Sequence, residues 1–209
     1  MTHRLVLAGL RLAALVSSLL IAGGAVAADG AAIMDQQCAG CHGRNGASTD
    51  SHIPIIGGYS AKYVVESIKN IRNKLRPCAE VTIPAGPKKG TKSDMCKVAA
   101  DLKDSDAEAV AKYLSQQKFV RAKQPFDAAK AQKGVAIYKL RCEKCHEDNG
   151  SSAEEDNGIL AGQWTPYMRD QIANFRSGKR QIDDKMKLRL ERVSKDDEEA
   201  LYHFFASQQ

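Results

Sequence analysis

Aromatic side chains make up only 6% of this 209-residue chain, and tryptophan occurs once. No dense basic stripe and no set of aromatics interleaved with bases appears, which excludes a nucleic-acid-binding surface. Almost no segment alternates apolar and polar residues, so a sheet-based fold is excluded as well. Beyond the first 27 residues no run is apolar enough to span a bilayer. Only five histidines and five methionines are present, so the side chains able to ligate a metal form a short roster. The net charge of +6 is modest and uneven: residues 28–123 carry +5 and residues 124–209 carry −1. Lys88, Lys89 and Lys92 form a small basic cluster, read as a solvated loop rather than a docking site.

Residues 1–27 have the pattern of a secretory leader. Arg4 and Arg11 supply a basic start, Leu12 to Val26 is mostly apolar, and Ala25-Val26-Ala27 is a small-residue cleavage site. Cleavage near Ala27/Ala28 would release a periplasmic protein with no transmembrane segment. An uncleaved anchor is the alternative, disfavoured because the apolar core is short and interrupted by glycine.

What the chain does have is Cys38-Ala39-Gly40-Cys41-His42 and, later, Cys142-Glu143-Lys144-Cys145-His146. C-x-x-C-H is the attachment signature of a c-type haem. Two intervening residues set the thiols about one helical turn apart, matching the vinyl groups to which they bond, and the adjacent histidine is held under the iron. Two pentads predict two covalent haem c groups and a chain that carries electrons.

Sliding the chain by 104 residues superposes the pentads and also pairs Gly58 with Gly162, Tyr63 with Tyr167, Ile68 with Ile172 and Arg72 with Arg176. The offset then falls to 91 at Met95 and Met186, and to 92 where Tyr113–Gln117 meets Phe205–Gln209. The first copy therefore holds about 13 extra residues between Arg72 and Met95, rich in Pro and Gly. The expected architecture is all-α: two tandem class I cytochrome c domains, each wrapping one haem. The boundaries are 28–120, with an inserted loop at about 73–94, and 121–209, with Phe119 to Pro125 as linker. Helices are expected over Ala31–Ala39, Ala107–Gln117, Ala128–Cys142 and Glu198–Ser207. Apolar stripes are expected at Val64, Ile68, Ile71 and Leu75, and at Met168, Ile172 and Phe175.

His42 and His146 are the predicted proximal ligands. For the opposite side of each iron, Met1 leaves with the leader, and Met34 and Met168 lie on core-facing helical positions. Met95 and Met186 remain, and they are repeat mates. His/Met ligation raises the reduction potential and leaves no iron position open, which argues against a peroxidase or thiosulfate-oxidising enzyme. His52 and His203 lack histidine repeat mates and read as loop and helix-surface residues. Cys78 and Cys96 belong to no C-x-x-C pair; in an oxidising compartment they are expected to form a disulfide, with free or partner-directed thiols as the alternative. Trp164, Tyr167, Tyr59 and Tyr63 are expected at the haem edges, where Trp164 or the tyrosines would bond propionates; Arg72 and Arg176 would pair with propionates or lie on the surface.

These residues resemble a known family. Two tandem c-type domains of this size resemble the cytochrome c4 class, and more closely the dihaem cytochrome subunit of flavocytochrome c sulfide dehydrogenase. The likeness is carried by Cys142–His146, Ile159–Tyr167, Asp184-Lys185-Met186 and Ala206–Gln209. It implies Cys38, Cys41, Cys142 and Cys145 as thioether attachments and His42, Met95, His146 and Met186 as axial ligands. It implies a partner, an FAD-containing flavoprotein that oxidises sulfide, with electrons passing from flavin to haem and on to a soluble cytochrome c. The alternative is a free-standing carrier that donates to a terminal oxidase or serves another sulfur-oxidising enzyme. In each case the chain itself is a non-catalytic electron-transfer subunit. The Cys78/Cys96 loop departs from the family pattern.

Overall fold

The structure, a computed structural model, describes residues 29–209; the expected leader and its cleavage site lie outside them. Among the described residues the fold is all-α apart from one short hairpin. Its elements are α1 (Gly30–Ile33), α2 (Ala39–His42), α3 (Ala61–Arg72), β1 (Val81–Thr82), β2 (Lys92–Ser93), α4 (Met95–Asp101) and α5 (Asp104–Ser115), then α6 (Ala128–Arg141), α7 (Glu147–Gly150), α8 (Thr165–Arg176), α9 (Asp184–Leu190) and α10 (Lys195–Ser207). A π-helical turn over Met34–Cys38 joins α1 to α2, so one helical run delivers the first pentad.

In each half the leading helix crosses the final helix at very close range. A Cβ on Gly30 would lie 2.2 Å from the Ala109 carbonyl oxygen, and one on Gly134 2.4 Å from that of Ala200. Gly30 and Gly134 are 104 residues apart, so the repeat preserves the two positions at which the helix backbones meet. Around these crossings two apolar cores form. The first holds Met34, Val64, Ile68, Ile71, Leu102, Val110 and Leu114. The second holds Tyr138, Tyr167, Met168, Val193, Leu201, Phe204 and Phe205. Stacking of Tyr138 on Phe204, centroids 5.0 Å apart, adds to the second.

Caps explain several helix starts. Ser60, Asp94, Asp127 and Ser194 each accept a backbone N–H from the first turn of α3, α4, α6 and α10. Helix α5 differs from expectation: it begins at Asp104, and Lys103 precedes it without a side-chain cap. Its acids Asp104 and Asp106 instead lie in the first turn, at the positive end of the dipole. Leu75 also departs from its expected stripe. The helix ends at Arg72, Lys74 takes a positive φ, and Leu75 is 40% exposed.

The extra residues of the first copy form a clamped hairpin. Strands β1 and β2 pair antiparallel, Val81 opposite Ser93, and a disulfide joins Cys78 to Cys96 at its base. No helix among the described residues is long and apolar enough to cross a membrane.

Candidate functional site

In the first domain Cys38, Cys41, His42 and Met95 line one cleft of about 1370 Å³. Its apolar wall includes Val64, Ile68, Ile71, Leu102 and Val110, and the hairpin closes one side. The His42 ring is buried, and its Nδ1 lies 2.9 Å from the Pro54 carbonyl oxygen. That contact orients the ring and leaves Nε2 free as a ligand. Burial, with a smaller push from Arg76, holds the His42 pKa below its ordinary value. The imidazole is therefore kept neutral, the form that ligates a metal. Met95 stands at the first turn of α4, tied through Cys96 to the hairpin base.

The second pentad has the same order of parts. His146 faces Gly158, the repeat counterpart of Pro54, yet its buried Nδ1 closes no hydrogen bond there. Burial lowers its pKa as well. Met186 is half-buried in the first turns of α9. Burial pushes Cys38 and Cys142 up to about 11, so neither thiol supplies a thiolate near neutral pH. These donor sets fit covalent haem c: paired thiols without metal-site partners, a neutral ring on one side, and a thioether further along the chain.

Other predicted residues have different work. Met34 and Met168 are core residues. His52 lies on the surface against Asp170 at 2.9 Å, and His203 accepts from the Asp127 N–H and pairs with Glu199. Arg72 and Arg176 are held by groups of the chain itself. Arg72 fastens the Ala99 and Leu102 carbonyls and Asp104; Arg176 fastens Glu198 and the Leu190 and Val193 carbonyls. Each ties the segment after its methionine back to the helix that follows its pentad. Trp164 donates across the domain boundary to the Ser48 carbonyl at 3.1 Å.

That boundary is built from repeat mates. Gln163, fully buried, accepts from the Ile55 N–H and donates to the Ile55 carbonyl and to the hydroxyl of Tyr59, its own counterpart. Arg76 donates across the boundary to Tyr167 at 2.7 Å. Its counterpart Arg180 donates to Gln171 in its own domain at 2.7 Å and lies over the Phe175 ring, and its charge helps lower the pKa of Tyr63. Arg76 lines the first cleft and pairs with no carboxylate among the described residues. A buried cation without a carboxylate partner suits a haem propionate, as would Arg44, Lys88 and Lys179 on the same cleft. Arg76 and Arg180 were missed from sequence, although the 104-residue offset pairs them.

Comparison with known proteins adds a common history. Residues 27–118 match the family model described as Cytochrome c. A cytochrome c4 of Stutzerimonas stutzeri is 30% identical over 177 residues, 78% of this chain and 80% of that protein. This chain belongs to the cytochrome c4 family. A cytochrome c4 of Azotobacter vinelandii is 28% identical over 78% of this chain and 77% of its own length. The crystal structure of reduced recombinant cytochrome c4 from Pseudomonas stutzeri superposes with a TM-score of 0.68 at 26% identity, covering 85% of this chain and 95% of that one. The chain is a cytochrome c4-like dihaem electron-transfer protein with class I cytochrome c folds.

Proposed function

We propose that this cytochrome c4 relative works in the periplasm as a two-site relay, taking electrons one at a time at one domain and releasing them from the other. The observation that carries the reading is the interface: Gln163 with Ile55 and Tyr59, and Arg76 with Tyr167, hold two like sites in one fixed relation. Haem c, when bound, supplies one-electron redox chemistry at its iron. The residues of the chain do the rest. Cys38 with Cys41, and Cys142 with Cys145, anchor the groups. His42 and His146 would hold the irons through neutral rings, and Met95 and Met186 through thioethers. The apolar walls exclude water and favour the less charged, reduced state.

Two sources of electrons suit this relay. As a free carrier it would shuttle between a donor and a terminal oxidase. As a subunit it would accept electrons from an FAD-containing, sulfide-oxidising flavoprotein and pass them to a soluble cytochrome c. The second reading is supported by the segment Ile159–Tyr167, whereas the hairpin departs from that family's pattern. Purification of the native protein separates them. Stoichiometric FAD and sulfide-dependent haem reduction support the flavocytochrome; a monomer without flavin that reduces an oxidase supports the carrier.

A further inference from the structure

The two repeat-mate methionines are presented in different ways. In the second domain Asp183 caps α9 and accepts the backbone N–H of Met186 itself, and no disulfide joins α9 to the described chain. In the first domain Asp94 accepts the N–H of Lys97, two residues past Met95. Met95 follows directly on the hairpin, and its neighbour Cys96 is bonded to Cys78. The hairpin has little else to hold it. Its ladder is Val81 with Ser93 and Thr82 with Lys92, extended by two hydrogen bonds at Ile83. Between Cys78 and Cys96 only Ile83 is buried, and residues 85–92 are exposed. Its outward tie is the Ala85 N–H, which donates to the Gly40 carbonyl at 3.1 Å. A two-stranded hairpin of this size is marginal in water.

The bridge connects this weak element to firm ground. Cys78 lies two residues after Arg76, which is fixed to Tyr167 of the other domain. On the far side of Met95, Arg72 grips the Ala99 and Leu102 carbonyls, which holds the end of α4 and not its start. The disulfide is therefore the strong tie beside Met95. Cys78 lines the same cleft as Met95, so loss of the bridge loosens the wall and the thioether together. Cys78 and Cys96 are half-buried, and Pro77, Ala79 and Lys97 next to them are exposed, so the bond lies near solvent.

We propose that the Cys78–Cys96 bridge is a latch on Met95: oxidised, it holds the thioether in place; reduced, it opens the first cleft to a small uncharged haem ligand of the carbon monoxide class, while the second site stays closed. The reductant is a protein dithiol carrying a reduced C-x-x-C pair. Thiol–disulfide exchange turns its two thiols into a disulfide and passes two electrons and two protons to Cys78 and Cys96. The proposal rests on the reading of Met95 as an axial ligand and holds for either source of electrons above.

The test uses the whole dihaem protein, reduced with ascorbate without oxygen and then treated with tris(carboxyethyl)phosphine. The phosphine and one water convert the bridge to two thiols and leave as phosphine oxide. Thiol titration should find both cysteines, and carbon monoxide difference spectra should then show one of the two haems liganded, against neither before. Re-forming the bridge with oxidised glutathione should abolish the uptake. C78S/C96S should take carbon monoxide at one haem without phosphine, and its ferric form should lose half of the near-infrared methionine-to-iron band. M95L, with its bridge intact, should also take carbon monoxide at one haem. The latch is overturned if both thiols appear without uptake, if both haems take carbon monoxide, if uptake survives re-formation of the bridge, or if C78S/C96S keeps its full band. An M95L protein that takes none overturns it through its premise, by removing Met95 from the iron.

Discussion

The first and second domains hold the same five-residue attachment device in unlike settings. At the first, a disulfide-clamped hairpin rests on Gly40 and walls the cleft. At the second, no hairpin lies on the pentad among the described residues: Asn157 donates to the Cys145 carbonyl, and Glu143, Lys144 and Cys145 are exposed. The chemistry of attachment is local and survives duplication unchanged. Access to the attached group depends on what the rest of the chain lays over it, and about 13 inserted residues alter that without touching the pentad. The pair therefore separates what a haem site needs from what governs access to it.

Removing the second attachment breaks the comparison most completely. C142S/C145S should yield a protein with one covalent haem in place of two, read by haem-to-protein ratio, with the first domain still loaded. Loss of both haems would show that the domains do not mature separately. Next come the thioether ligands. Met95→Leu and Met186→Leu should each remove about half of the near-infrared methionine-to-iron charge-transfer band and lower one of two reduction potentials. A full band in either variant would refute that ligand.

Opening the clamp should act on one domain only. C78S/C96S frees a bridge of sequence separation 18, and loop-closure entropy puts the loss at about 3 kcal/mol. Calorimetry should show the melt beginning earlier, and limited proteolysis should cut the first domain before the second. Gln163→Ala tests the joint between them. It strands the Ile55 N–H and carbonyl and the Tyr59 hydroxyl in a buried place, at roughly 2–3 kcal/mol. Urea melts should then resolve two transitions.

The smallest effect concerns pH. A hydrogen bond from Lys62, with another from Ser60, holds the Asp156 carboxyl below its ordinary range. Its contribution across the boundary is therefore present above the ordinary carboxylate pKa near 4 and is lost as pH falls through the lower folded value. Trp164 fluorescence should report slight loosening in acid, and Asp156→Asn should abolish that pH dependence.

Much of this was legible from residue order. The pentads, the repeat, the helical class and the core roles of Met34 and Met168 follow from spacing, because attachment chemistry and helical periodicity are local. Leu75 was misplaced because the periodic pattern runs past the residue where Lys74 turns the chain. Arg72 and Arg176 were misread because a guanidinium on a helix gives no sign of which carbonyls lie across from it.

The sequence by itself determined the cofactor class, the two-copy plan and the positions of the donors, since those depend on residues a few places apart. Only the tertiary structure decided that Arg76 crosses to the opposite domain, that Gln163 sits against its own counterpart, and that the hairpin lies on the first attachment loop. Those contacts join residues about a hundred positions apart, or set a loop on a backbone that only glycine leaves open. Such neighbours are chosen by packing of the whole chain.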